Sequence, residues 1–288
     1  MGFTVCYRRH RFGHVRKAAV VAAAAIAVSS CSRTETLARP AAEDLGCGDA
    51  HSEPLAVGRI ANNVWNKPPA GASESAQCVR VRRVSGTKEY GWRWDWPPES
   101  DALISFPQVV YGWKPWDGGE SSHPRLPMRI ADIGTLRLSY EMKTSAEGEH
   151  NLATTLWLTR SGATSPEPNP KDISTDLMVW TDSSDLDPFG ERVGYASIDG
   201  LDFEIWFARD LGDASGEGPR WNYVAYRATT QHAAASLDLK AFLRHAVEHE
   251  FVSPDHYVSD VEVGNEIMSG SGETWIKSIS LEVERQKR

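Results

Sequence analysis

Along most of this chain, apolar and polar residues exchange places at every second position. The runs are short and bounded by Gly, Pro, Asp and Ser, which is the period of a pleated strand with one face buried. The clearest cover residues 78–84, 90–96, 103–110, 135–142, 152–159, 175–181, 192–198, 201–208, 220–227, 257–265 and 274–284. Helical period is convincing in one segment. With Ser236 as cap, Leu239, Phe242, Leu243, Ala246 and Val247 fall at i, i+3, i+4, i+7 and i+8. Many short strands with a single helix predict an all-β protein, a two-sheet sandwich or jelly roll. The Pro-rich run Ser165 to Pro170 and the stretch Gly112 to Pro127 read as loops, and no internal repeat is visible.

The first thirty residues break the pattern. Arg8, Arg9, Arg11, Arg16 and Lys17 form a basic region without acids, followed by an apolar run from Ala18 to Val28 that is too short to span a bilayer. Residues 1–30 therefore read as an export signal. The run ends Val28-Ser29-Ser30-Cys31, which resembles the lipobox of bacterial lipoproteins and implies a lipid on Cys31. That places the chain on the extracytoplasmic side of a membrane, with plain secretion as the alternative. The Arg8-Arg9 pair leaves both the Sec and the twin-arginine routes open. Residues 31–45 carry little apolar content and read as a flexible tether, and residues 46–288 as one large β domain.

Charge and cysteine count narrow the partners. The formal net charge of −8 becomes −13 once the five basic residues of the signal leave, which disfavours nucleic acid as a partner. Cys6 leaves with the signal and Cys31 carries the lipid. Cys47 and Cys78 remain, and in an oxidising compartment they read as one disulfide.

Two segments hold the candidate chemistry. In Asp176-Leu-Met-Val-Trp180, alternation sends Asp176, Met178 and Trp180 to one face, and Leu177 and Val179 to the other. In Gly264-Asn-Glu266-Ile-Met-Ser-Gly270, Glu266 again stands among apolar neighbours. Two carboxylates converging on one cleft are the minimal equipment for cleaving a glycosidic bond. The chain has 11 tryptophans, and Trp92, Trp94 and Trp96 alternate on one strand face. Such rings suit the apolar faces of sugars, and they fill sandwich cores equally well. Asp260 and Glu262 share the face of Glu266 and read as supporting or solvated groups. Asp182, Asp185 and Asp187 read as turn formers. The run His245-Ala-Val-Glu248-His249 fits the inverted zinc-protease motif, but both histidines sit in a last helical turn, where positive charge complements the helix dipole. No metal and no cofactor are expected.

The order of motifs resembles glycoside hydrolase family 12. The carriers are Cys47, Asn62-Asn63-Val64-Trp65-Asn66, Cys78-Val79, Tyr90-Gly-Trp-Arg-Trp-Asp-Trp96, Ile104-Ser-Phe-Pro-Gln108, Ile133 to Met142, the Asp176 segment, the helix, and the Glu266 segment. The resemblance covers residues 46–284. It implies a β-jelly roll with a concave substrate cleft and a monomeric, cellulase-like endo-glycosidase acting on β-1,4-glucan polysaccharide by a retaining mechanism. Glu266 maps onto the general acid/base and Asp176 onto the nucleophile. Asn63, Trp65, Met178 and Trp180 map onto the cleft, and Trp92 and Trp94 join them as substrate-binding candidates.

Three positions depart from the family pattern, one of them Ala50, where an outer-subsite Trp is common, which implies a different or weaker distal subsite. The nucleophile position holds Asp rather than Glu, one methylene shorter, which bears on whether the carboxyl spacing is retaining (about 5–5.5 Å) or inverting (from about 6.5 Å). Thr155 stands where the family keeps an Asp that hydrogen-bonds the nucleophile, so Asp176 is expected to ionise more readily. The alternative is a non-catalytic glycan-binding protein on the same jelly roll, with a degenerate nucleophile site.

Overall fold

The computed structural model describes residues 40–68, 76–212 and 218–287; the expected export signal and the expected lipid site Cys31 lie outside them. Chain order begins with β1 (Ala42–Gly46), β2 (Ser52–Pro54), β3 (Arg59–Ala61), β4 (Gln77–Val84), β5 (Thr87–Asp95) and β6 (Gln108–Gly112). It continues with β7 (Met128–Arg129), β8 (Ile133–Glu147), β9 (His150–Thr159), β10 (Ile173–Ser184), β11 (Glu191–Ile198) and β12 (Leu201–Gly212). The last elements are β13 (Arg220–Ala228), β14 (Ala234–Asp238), α1 (Leu239–Glu248), β15 (Tyr257–Val258), β16 (Asp260–Gly264) and β17 (Ser271–Arg285).

These strands form the two sheets expected of a jelly roll. The smaller runs β1-β4-β5-β17-β8-β14. The larger runs β11-β12-β13-β10-β9-β16-β6-β3-β2, with β15 and β7 attached beside β9. At its centre, β10 pairs antiparallel with β9 and parallel with β13, a crossover that brings residues 47 positions apart to adjacent places.

Alternation fixes which face is which. Leu177 and Val179 of β10, Leu156 and Leu158 of β9, Val224 and Tyr226 of β13, and Val261 and Val263 of β16 all point into the space between the sheets. Leu136 and Leu138 of β8 meet them from the smaller sheet, and Phe242, Leu243 and Ala246 of α1 close one end. Each such side chain contributes about 1.5–3 kcal/mol when buried. A one-residue slip of β10 would place Asp176 in that core and Leu177 outside, so burial pins the register of the site.

Several expectations are corrected. The end of the span 31–45 expected to be a tether is not one, because Ala42–Gly46 is a strand paired with β4. Its composition is polar, yet Asp44 is held by Arg80 and Arg93, and Leu45 packs on the core. Ser236 is not a helix cap; it belongs to β14, and its hydroxyl bonds that of Ser139 at 2.9 Å. The helix begins at Leu239 instead. The run 257–265 divides at Ser259, whose N–H donates to Trp157 and whose hydroxyl donates to the Trp113 carbonyl. Cys47 and Cys78 are disulfide-bonded, as expected. His245 and His249 stack ring on ring at 4.0 Å, and Tyr226 bonds the His245 ring at 3.0 Å, so both work at the helix end.

Candidate active site

The outward face of the larger sheet carries a second, smaller apolar cluster. Ala153, Met178, Trp180, Tyr223, Ala225 and Met268 form it, with Leu186 from the loop after β10. A cleft opens beside this cluster, and Asp176, Glu266, Asn63, Trp65, Met178 and Thr155 line it together. Trp180 lies behind it, its indole N–H directed at the Met178 sulfur 3.5 Å away.

Asp176 is buried, at 8 % exposure, between Trp157 on β9 and Tyr223 on β13, its Cα partners on either side. Its Oδ1 meets no donor among the described residues. Burial first, then the neighbouring Glu266 and Glu262 carboxyls, hold Asp176 well above the usual carboxylate range, and Lys114 pulls it back. The expectation of easier ionisation beside a neutral Thr155 therefore fails. Glu262 is the Cα partner of Thr155 across β9 and β16, so the adjoining strand supplies a like charge that Thr155 lacks.

Glu266 is clamped from one side. The Asn151 side-chain amide donates to its Oε2 at 2.5 Å, and the Glu266 N–H donates to the Asn151 Oδ1 at 2.9 Å. The Asn151 N–H also donates to the Glu266 carbonyl at 3.0 Å. Loss of solvent pushes the Glu266 carboxyl up to about 7, and the Asn151 bond partly opposes this. A carboxyl with that value can hold a proton in mildly acidic to neutral solution and release it during turnover.

Trp92 and Trp94 do not line the cleft. They are 0 % and 2 % exposed, inside the sandwich. Trp92 nevertheless supports the site from behind. Its indole N–H donates to Asn265 Oδ1 at 2.9 Å, and the Asn265 amide donates to the Asn151 carbonyl at 2.6 Å. The chain of bonds runs Trp92, Asn265, Asn151, Glu266. Asp182, Asp185 and Asp187 lie outside the cleft lining; Asp185 takes a left-handed turn conformation and Asp187 pairs with Arg227.

The residues missed by sequence reading are chiefly aromatic. Trp116, Trp157 and Trp221 meet edge to face with centroids 5.5–5.8 Å apart along one wall of the cleft. Trp157 has the strand parity of Thr155, and Trp221 that of Tyr223, so alternation alone could have found both. Trp116 and Lys114 come from the stretch that reads as a loop, where no period marks them. Lys114 is 5 % exposed, with its ammonium 2.8 Å from Glu262 Oε1. Glu262 is 1 % exposed, and Asp260 is fully buried and accepts the Trp157 N–H at 3.2 Å, so neither is a solvated group.

The arrangement supplies a proton-holding carboxyl, a second carboxyl deep in the cleft, and aromatic walls of the kind that receive sugar rings. The chain is 24 % identical over 226 residues to Endoglucanase S of Pectobacterium parmentieri, covering 77 % of this chain and 80 % of that protein. It is 21 % identical over 216 residues to a probable xyloglucan-specific endo-β-1,4-glucanase A of Aspergillus terreus, covering 74 % and 76 %. Its fold superposes on the native family 12 xyloglucanase from Bacillus licheniformis with a TM-score of 0.72 and 23 % identity, over 85 % of this chain and 100 % of that one. Residues 57–284 match the family described as glycosyl hydrolase family 12, and this chain, with two carboxyls lining one cleft, belongs to that family and is a glycoside hydrolase.

Proposed function

We propose that the protein is an endo-acting, retaining hydrolase of β-1,4-glucan-type polysaccharide, with Glu266 as general acid/base and Asp176 as nucleophile. The observation that carries this reading is the shared cleft, in which Glu266, raised to about 7, faces the same space as the buried Asp176. The family relatives named for endoglucanase and xyloglucanase activity support the substrate class.

Both carboxyls favour the neutral form, Asp176 in part because the Glu266 carboxyl lies near it. The active arrangement has the proton on Glu266 and the charge on Asp176. Asp176 attacks the anomeric carbon as Glu266 gives its proton to the leaving glycosidic oxygen, and that carbon–oxygen bond breaks. Glu266, now a carboxylate, takes a proton from water. The water oxygen bonds the anomeric carbon, the glycosyl–Asp176 ester breaks, and both carboxyls return to their starting forms. Asn63, Trp65, Met178 and the Trp116–Trp157–Trp221 wall bind and orient the sugar, with Thr155 beside them. No step calls for a metal or a cofactor.

Export fits the disulfide and the basic and apolar N-terminal regions, and we assign Cys31 as the site of a lipid anchor. The test of the activity is hydrolysis of soluble β-glucans, including xyloglucan and mixed-linkage glucan, by wild type, Asp176→Asn and Glu266→Gln. Each substitution should lower turnover at least a thousandfold, and the first product should keep the β configuration. Hydrolysis indifferent to both overturns the assignment, and binding without turnover by wild type favours the non-catalytic glycan binder.

A further inference from the structure

One buried cation stands among the carboxyls of the cleft, and the mechanism above gives it no task. Lys114 follows β6 and reaches under the cleft to Glu262 of β16. Asp176 Oδ1, Thr155 Oγ1 and Glu262 Oε2 are all buried without a hydrogen-bond partner among the described residues. Register brings them close. Thr155 is the Cα partner of both Glu262 and Met178, and Asp176 lies two residues before Met178 on the same face. Thr155 and Asp176 are diagonal neighbours, about 7–8 Å apart, and Glu262 stands one strand beyond Thr155 on the same desolvated face, where charges are felt over longer spans than in water.

We propose that the buried Lys114–Glu262 pair sets how readily Asp176 ionises, Glu262 keeping its carboxyl basic and Lys114 keeping the charged form within reach, which makes both positioning residues for the reaction. This rests on the reading of Asp176 as nucleophile. Asp176 must carry the negative charge to attack, although burial and two neighbouring acids oppose it, and an ammonium lining the same cleft eases that ionisation. Lys114 favours the charged form of Asp176, whereas the charged form of Glu266 is favoured by the Asn151 amide. Glu262 opposes Lys114 at Asp176, and its influence there is the larger of the two. The pair thus keeps Asp176 basic enough to attack while leaving it able to ionise.

The other groups facing Asp176 do not duplicate this. Trp157 and Tyr223 flank it without charge at neutral pH, and Asp260 is tied to the Trp157 N–H. Arg59 and Asp117, farther out, pair with each other at 2.5 Å.

The test is the pH dependence of kcat/KM on a soluble β-glucan, whose acidic limb reports the essential base of the free enzyme. In Glu262→Gln the freed Lys114 charge acts on Asp176 unopposed, and the acidic limb should fall by about one pH unit. In the double variant Lys114→Met/Glu262→Gln both charges are gone, so the limb should lie between the single variant and wild type. The double variant leaves no buried charge unpaired, so it carries the test if the single variant does not fold. A purely structural pair would change expression or melting temperature and leave the limb in place. Limbs at the wild-type position in the folded variants overturn the proposal. If Asp176→Asn retains hydrolysis, the nucleophile reading falls first; if Asp176→Asn is inactive and the limbs do not move, only the role of the pair falls.

Discussion

Replacing Glu266 by Gln should stabilise the protein while abolishing its activity, and the gain should grow with pH. In the fold the Glu266 carboxyl is raised from an ordinary 4.5 to about 7 by loss of solvent. The native state therefore holds this proton more tightly than the unfolded chain, so stability falls as pH rises from the unfolded value through the folded one. At pH 5 the native carboxyl is neutral and the loss is small, about 1 kcal/mol. At pH 8.5 both states are ionised and the full difference of 2.5 pH units applies, about 3 kcal/mol. Glu266 reaches solvent through the cleft, which reduces the contrast to about 2 kcal/mol between the two pH values. Gln has nearly the same shape and can accept the Asn151 amide through its own oxygen, so Glu266→Gln removes the titration without opening a cavity. Urea unfolding of both proteins at pH 5, 7 and 8.5 measures the effect directly. An advantage of the variant that is constant across pH, or that shrinks as pH rises, refutes the reasoning, because neither can come from a buried acid that resists ionisation.

Asn151→Ala removes the donor that favours the charged form of Glu266, so the basic limb of the pH–activity profile should rise by about one unit. The same change frees the carboxyl from its clamp, and kcat at the plateau should fall about tenfold or more; a basic limb that moves down contradicts the assignment. Cys47→Ala/Cys78→Ala opens a loop with sequence separation 31, and chain entropy predicts a loss of about 3–4 kcal/mol in urea unfolding under oxidising conditions, with no loss once wild type is reduced. Cys31→Ser should move the protein from the membrane fraction to the soluble fraction, and unchanged membrane association shows that the cysteine carries no anchor.

The parts of the fold that were legible in the sequence are those governed by period. Strands around 175–181, 220–227 and 274–284 announce themselves because one face is apolar and the other is not, and burial of Leu177 and Val179 enforces that pattern. Strands β2, β3, β7 and β15 were not separately legible, being two or three residues long and set by neighbouring backbone rather than by their own side chains. The two carboxyls were legible because a charge among apolar residues of like parity is costly unless something uses it. Trp92 and Trp94 show the limit of that reasoning. Parity says which residues share a face, but in a sandwich it does not say whether that face looks into the core or across the cleft. Trp92, 0 % exposed, looks inward.

The same ambiguity explains why Glu262 reads in the sequence as either a supporting or a solvated group, and why the difference matters. Read along β16, it is one acid among three of like parity, and a solvated edge would accommodate all of them. The fold instead brings β16 against β9, so that Glu262 lies opposite Thr155 and both face the cleft that Asp176 lines. An acid buried there must find a cation or take up a proton. Lys114 meets it from a segment about 150 residues earlier in the chain, a pairing that no local spacing encodes. Asp176, the neutral Thr155 and the Glu262 carboxyl then belong to one electrostatic arrangement. A change at any one of these positions should alter the ionisation of Asp176, and a comparison that tallies only the two principal carboxyls would miss it.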